Sequence, residues 1–329
     1  MVNLKTNDPR YWVAALIILL FALIPVIATY TGQLFFISQF SRIMIYALAV
    51  VGLNLILGFG GMASLGHALY MGIGAYGVGI FEFHGVTNGW LQLVAALVVG
   101  GVFATAIGAV AVRLKGMTFI MITLAFAQMG YFMAVTLRTY GGEDGRAIGS
   151  HSQMYLFDFS SPIVLYYVIF ACLVATLWWM NRVIVSKFGM VIRGSRSNER
   201  RMLALGFPTF RYKLVAYVIS AQLCVVAGFL LANLTLYASP SFMQWTVSAE
   251  LIIMVILGGM FTVFGPVVGA LVFLLLEEWL SNFHSTVFPV LGELVNEHWL
   301  AVLGAFVILV VLTARNGIYG YIGKGARQL

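Results

Sequence analysis

Ten long apolar stretches, nearly free of charge, decide what this chain can fold into. They run from Tyr11 to Tyr30, Ser38 to Leu57, Ala63 to Phe81, Leu91 to Val112, Met117 to Leu137, Pro162 to Asn181, Leu214 to Leu236, Leu251 to Met260, Val263 to Leu280 and Trp299 to Thr313. Several approach or exceed the roughly 18–20 apolar residues needed to cross ~30 Å of hydrocarbon. A soluble protein needs about a quarter of its residues charged to cover its surface; here 9% of 329 are charged and 62% are hydrophobic. The fold class is therefore an all-α polytopic membrane protein with about ten transmembrane helical passages (eight to ten, depending on the short ones). A β-barrel is excluded, because its strands would alternate polar and apolar residues over about ten positions.

The basic residues set an orientation. With the N-terminus inside and the runs alternating, the inner side carries Lys5, Arg10, Arg113, Lys115, the segment from Arg182 to Lys213, Arg315, Lys324 and Arg327. The outer side keeps only Arg42, Arg138 and Arg146. That bias fits the positive-inside rule and gives N-in, C-in. The acids fall the other way: Glu82, Glu143, Asp144, Asp158, Glu250, Glu277, Glu278, Glu293 and Glu297 lie on or near the outer side, and only Asp8 and Glu199 lie inside. A net charge of +7 is thus a topology signal and not a nucleic-acid footprint.

Smaller features refine the picture. Val26-Ile27-Ala28 has the look of a signal cleavage site, but the run it ends exceeds a signal core of about 7–15 residues and reads as a retained anchor, kinked at Pro25. Gly258-Gly259 and Gly265-Pro266 punctuate the runs at 251–260 and 263–280, so this pair is either a tight hairpin or a broken helix. Cys172 and Cys224 sit in apolar runs and read as small hydrophobes. No metal signature is present, and no phosphate-binding loop of the GxxxxGK[ST] kind, so any ATP is bound by another chain. No extramembrane domain is visible; residues 1–329 make a single transmembrane domain.

The segment RVIVSKFGMVIRGSRSNERRMLALGFPTFRYK, residues 182–213, holds Arg182, Lys187, Arg193, Arg196, Arg200, Arg201, Arg211 and Lys213 against one acid, Glu199. Ser195 to Asn198 are good N-cap residues. Glu199 to Leu205 spans about two helical turns, Gly206 suits the position after the helix, and Pro208 follows. One short helix across the cytoplasmic face is predicted. It either rests on anionic lipid or docks into a partner, presenting Arg200 and Arg201 beside Met202, Leu203 and Leu205.

These residues carry a family resemblance. Arg196-Ser197-Asn198-Glu199, Ala204-Leu205-Gly206-Phe207 and Tyr212-Lys213-Leu214 resemble the cytoplasmic segment of branched-chain amino acid ABC transporter permeases of the LivM type. Asn54-Leu55-Ile56-Leu57-Gly58, Ser64-Leu65-Gly66-His67-Ala68 and Gly72-Ile73-Gly74-Ala75-Tyr76 resemble the family's second-to-third helix block, and Glu250 to Ala270 its late Gly-rich block. The matches run from about residue 42 to 313. Two places depart: Phe261 stands where the family usually has Gly, and Arg315-Asn316-Gly317-Ile318 replaces its usual Pro-Gly-Leu ending.

The resemblance implies a permease subunit of an importer in a bacterial inner membrane. Its partners would be a second permease (LivH-like, or a copy of itself), two ATPase subunits and a periplasmic binding protein. ATP and Mg would sit on the ATPases, with no cofactor on this chain and no enzymatic activity of its own. The coupling residues would be Arg193, Ser195, Arg196, Ser197, Asn198, Glu199, Arg200, Arg201, Leu205 and Gly206. The solute would be a branched-chain or other apolar amino acid; related systems take urea, short amides or aromatic acids.

Polar residues within the runs are candidates for the translocation path: Ser64, His67, Thr123, Gln128, Asn233 and Glu250. Ser64 and His67 share a helix face at i, i+3 and either touch solute or bond between helices. They lack the third group a nucleophilic pair needs. Gly72, Gly74, Gly77 and Gly79 form either a close-packing surface or a backbone-lined path. Glu250 reads as the outer end of a helix, wetted by water, and Glu277 and Glu278 as the outer end of the next. An ion-coupled secondary transporter is the competing class, and a structural subunit of a larger complex a third. The near absence of mid-membrane acids counts against ion coupling.

Overall fold

A computed structural model describes residues 9–154, 157–281, 299–313 and 317–322. The expectations resting on Lys5, Asp8, Glu293, Glu297, Arg315, Lys324 and Arg327 lie outside them.

The helices are α1 (Pro9–Thr31), α2 (Phe35–Asn54), α3 (His67–Phe83), α4 (Gly89–Ala111), α5 (Met117–Thr136), α6 (Pro162–Val185), α7 (Lys187–Ser197), α8 (Glu199–Ala204), α9 (Thr209–Thr235), α10 (Trp245–Gly258), α11 (Gly265–Ser281), α12 (Trp299–Thr313) and α13 (Gly317–Ile322). Among the described residues, six stretches are long and apolar enough to span: 11–30, 35–59, 89–111, 117–136, 162–185 and 209–235. The expected count of about ten depends on α3, α10, α11 and α12, all of 17 residues or fewer. One departure from all-helical is a two-residue pairing, Arg146–Ala147 with Tyr237–Ala238, antiparallel.

Burial sorts centre from periphery. α2 with its extension is 94% buried across its apolar window, against 28% for α1 and 22% for α5. From Ile43 to Asn54 every residue of α2 is buried, so the helix is covered on all sides and its sequence shows no amphipathic stripe. α9 packs beside it, and α3 packs against α9. A Cβ at Gly74 would stand 2.1 Å from the Val225 carbonyl, and one at Gly228 1.9 Å from that of Met71. Glycine thus lets α3 and α9 meet backbone to backbone. Gly72, Gly77 and Gly79 face Met243, Ala96 and Ala238, so the glycine face is a packing surface and not an open path.

Several boundaries differ from the sequence expectation, each for a local reason. α2 passes into a π turn at Leu55–Phe59, so its rod ends at Phe59 and not Leu57. α3 starts at His67, not Ala63, because residues 63–64 are irregular and 65–66 form the turn that leads into it. α6 continues to Val185, four residues past Asn181. α10 begins at Trp245, six residues before Leu251, so Glu250 lies inside a helix and not at its end. Arg42 likewise lies inside α2 and not in an outer loop. The pair α10–α11 is a tight hairpin: a Cβ at Gly258 would stand 1.9 Å from the Gly265 carbonyl, and one at Gly269 1.9 Å from that of Met254.

The loops gather at two ends. At one, Asn54 Nδ2 donates to the Thr262 carbonyl (2.9 Å) and Arg113 stacks on Phe210 (5.4 Å). At the other, the Glu82 carboxylate accepts from Gly149 N (3.2 Å), and Gly89 N donates to the Gln153 carbonyl (2.8 Å). The basic segment belongs to the first end.

Candidate functional site

The basic segment folds as two helices, not the one expected. Ser186 accepts from Gly189 N and starts α7. Asn198 is extended (φ −158°, ψ 99°), which breaks the helix, and its Oδ1 accepts from Arg201 N (3.0 Å) to start α8. Of the expected cap residues, only Asn198 caps. The Ser195 hydroxyl donates to the Val191 carbonyl, and that of Ser197 to Arg193 and Gly194 carbonyls within α7. α8 ends as the sequence suggests. Gly206 has a φ of +84°, its N–H donates to the Leu203 carbonyl (2.9 Å), and Phe207 N donates to that of Met202 (3.1 Å). This pair of bonds is the Schellman closure.

Glu199 anchors α8. It accepts from Lys213 Nζ at 2.7 Å, from Lys115 Nζ at 2.5 Å and from the Thr209 hydroxyl at 3.2 Å. Partial burial alone would raise its pKa, but the hydrogen bonds and charges of Lys115 and Lys213 outweigh that and lower it to about 2. One carboxylate therefore joins α8 to the start of α9 and to the α4–α5 turn. A cavity of about 340 Å³ lies here, walled by Gly61, Lys115, Phe119, Ser195, Arg196 and Glu199.

Arg196 and Arg193 work inward. Arg196 Nη1 donates to the Gly58 carbonyl, and its guanidinium lies 4.5 Å from the Phe261 ring centroid. Arg193 Nη2 donates to the Ile184 carbonyl (3.2 Å), stapling α7 to α6. What faces outward is a mixed surface of Arg200, Arg201, Leu203, Leu205 and Phe207. Met202 turns back, its sulfur beside Gly194. Of the expected coupling residues, Arg200, Arg201 and Leu205 are thus exposed on the outward surface, and Arg193, Ser195, Arg196, Ser197, Asn198, Glu199 and Gly206 shape or tether the unit.

The six expected path residues do not meet in one place. Ser64 precedes α3 and shares no helix face with His67, yet its Oγ lies 3.0 Å from His67 Nδ1; Nε2 of the same ring lies 3.0 Å from Ser220 Oγ of α9. Ala68 N donates to Ser248 Oγ of α10 (2.9 Å). Ser64, His67, Ser220 and Ser248 are fully buried, and their contacts join the start of α3 to α9 and α10. Thr123 is buried and donates to the Ile120 carbonyl in its own helix. Asn233 accepts from Ser152 N (2.9 Å) and so pins the loop after α5. The Gln128 amide nitrogen is buried with no partner among the described residues.

Sequence reasoning passed over a second polar place. Arg42 of α2 and Glu277 of α11 form an ion pair at 3.3 Å, with Arg42 also 5.7 Å from the Tyr46 ring centroid. Glu250 sits on α10, which packs against both α2 and α11. The signal was a charge inside an apolar run, hidden when Arg42 was counted only as an outer-side charge. Lys115, Gly58 and Phe261 were missed for a different reason: each reaches the basic segment from far along the chain.

A family model described as the permease component of branched-chain amino acid transport systems matches residues 35–311. The high-affinity branched-chain amino acid transport system permease protein LivM of Salmonella typhimurium is 24% identical over 299 residues, covering 84% of this chain and 68% of the relative. The corresponding LivH protein of Escherichia coli is 25% identical over 299 residues, covering 84% of this chain and 91% of its own. No solved structure matches the chain.

Proposed function

The chain belongs to the family of branched-chain amino acid transport system permease components, and from that premise we propose that it is the membrane-spanning subunit of an ATP-driven importer. The observation that carries the reading is the family match over most of the chain, with relatives whose names are those of branched-chain amino acid permease proteins. The solute is a branched-chain or other apolar amino acid, delivered by a binding protein on the outer side. Two ATPase subunits hold ATP and Mg, and a second permease completes the path. The basic end faces the cytoplasm, with N-in, C-in orientation, in a bacterial inner membrane.

In this reading the α7–α8 unit docks into an ATPase. Support comes from its outward surface, where cationic Arg200 and Arg201 stand beside exposed Leu203 and Leu205. It also comes from the inward tethers of Glu199 and Arg196, which tie the unit to α9, to the α4–α5 turn, to the end of α2 and to the α10–α11 turn. A short, capped, multiply anchored helix moves as one piece with what it holds.

The ion-coupled alternative regains one argument, because Glu250 lies inside a helix and not at its outer end. The family match favours the ATP-driven reading nonetheless. Affinity purification from native membranes separates the two. Co-purification of ATPase subunits and a second permease is expected; a chain that comes down without an ATPase and transports on an ion gradient alone contradicts it.

A further inference from the structure

We propose that Arg42, Tyr46, Glu250 and Glu277 form a site on the transport path that binds the head group of a zwitterionic amino acid; this rests on the permease reading and names its contact with solute. Three helices converge to build the cluster. Arg42 is in the first half of α2, Glu250 in the first half of α10 and Glu277 near the end of α11. α10 and α11 run antiparallel, and all three positions lie toward the end away from the basic segment.

The chemistry matches a zwitterion. Arg42 has five N–H donors, and it gives one to Glu277. Glu250 has no hydrogen bond or ion pair among the described residues. Two carboxylates and one guanidinium leave the cluster with a surplus acid. An α-carboxylate can take the free donors of Arg42, and an α-ammonium can sit at Glu250. The planar guanidinium suits the carboxylate, which it holds through two parallel bonds.

Exposure supports a path over a purely structural pair. The Arg42 and Glu277 side chains are 38% and 22% exposed. Charges at membrane depth that are not enclosed face water or protein and not lipid. A cluster open on one side in the outer half is placed where a solute released from outside would arrive.

The test uses the whole complex in proteoliposomes, with ATPases, second permease and loaded binding protein, and radiolabelled leucine as probe. Glu250→Gln is expected to lower uptake roughly tenfold, the loss of one charge-assisted bond, with the thermal midpoint of the purified complex unchanged. The double variant Arg42→Gln, Glu277→Gln removes both charges together, so neither is left unpaired; uptake is again expected to fall at least tenfold. Arg42→Lys should recover only part of the uptake lost in Arg42→Gln, because the bidentate fork is missing. Wild-type rates in both Glu250→Gln and the double variant overturn the site while leaving the permease reading intact. A wild-type complex that moves no zwitterionic amino acid overturns that reading, and the site with it.

Discussion

The guanidinium of Arg196 in α7 lies 4.5 Å from the ring centroid of Phe261, in the turn between α10 and α11. The same side chain donates to the Gly58 carbonyl at the end of α2. The two places it touches are themselves joined, through Asn54 Nδ2 and the Thr262 carbonyl. One residue of the basic segment therefore reaches three membrane helices. Phe261 is also where the family resemblance breaks, with Gly usual at that position. In this chain the bulky ring gives Arg196 a face to stack on.

Replacing that face should loosen transmission without unfolding the protein. An exposed cation–π contact is worth about 0.5–1 kcal/mol, so Phe261→Gly is expected to lower solute moved per ATP hydrolysed roughly two- to fivefold. Arg196→Lys should cost more, since it loses both the stack and the forked donor. The ratio of uptake to ATP hydrolysis in proteoliposomes measures both. An unchanged ratio in both variants removes Arg196 from the coupling route.

Glu199 sets a pH limit on the same unit. Its pKa is lowered to about 2 from an ordinary 4.5. A depressed folded-state pKa contributes stability that is complete above about 4.5 and fades as the pH falls toward 2. A spin label at Leu203→Cys should keep constant mobility from pH 8 to about 5 and loosen below that. With Glu199→Gln the label should be mobile at every pH, for a loss of about 1 kcal/mol across the partly exposed pairs. A mobility change centred near neutrality would point to a different anchor.

The His67 junction is expected to stabilise and not to select. Ser220→Ala leaves His67 Nε2 buried without its partner, a cost of about 1–3 kcal/mol. The thermal midpoint should fall while the preference among amino acids stays the same. A changed preference at an unchanged midpoint would return His67 and Ser64 to the path.

Close approach of α3 and α9 gives a sharper packing test. Gly228→Ala puts a methyl group 1.9 Å from the Met71 carbonyl, a backbone atom that cannot swing aside. The helices must part, at a cost of about 1–3 kcal/mol or more. Gly304→Ala, in α12, meets nothing within 4 Å and should be neutral. Comparing melts of the two variants checks the packing account; equal midpoints contradict it.

Much of this was legible in the residues. Apolar runs gave most of the helices, because a bilayer leaves helix as the main way to satisfy backbone groups. Asn198 and Gly206 announced the start and stop of α8 through their own local chemistry. Legibility failed where the cause was distant or internal to a run. Nothing near Leu55–Phe59 marks a π turn. The split at Asn198 looked like a single N-cap and not the boundary between two helices. Arg42 falls within the Ser38–Leu57 run but was counted only as an outer-side charge, and only the fold brings it to Glu277, 235 residues away. The candidate path residues scattered for a related reason. A polar side chain inside a membrane run must find a partner, and for Ser64, His67 and Asn233 that partner is another protein group, while for Thr123 it is a carbonyl of its own helix.

The central claim is that ATP hydrolysed on a partner drives this permease through the α7–α8 unit. Its most direct measurement is leucine uptake by the complete complex in sealed proteoliposomes, with and without ATP on the ATPase side, for wild type and for Glu199→Arg with Arg200→Glu. Uptake should require ATP in the wild type. The double variant should insert normally, hydrolyse ATP without stimulation by the loaded binding protein, and move no leucine. ATP-independent uptake on an ion gradient, or full coupling in the double variant, would contradict the account.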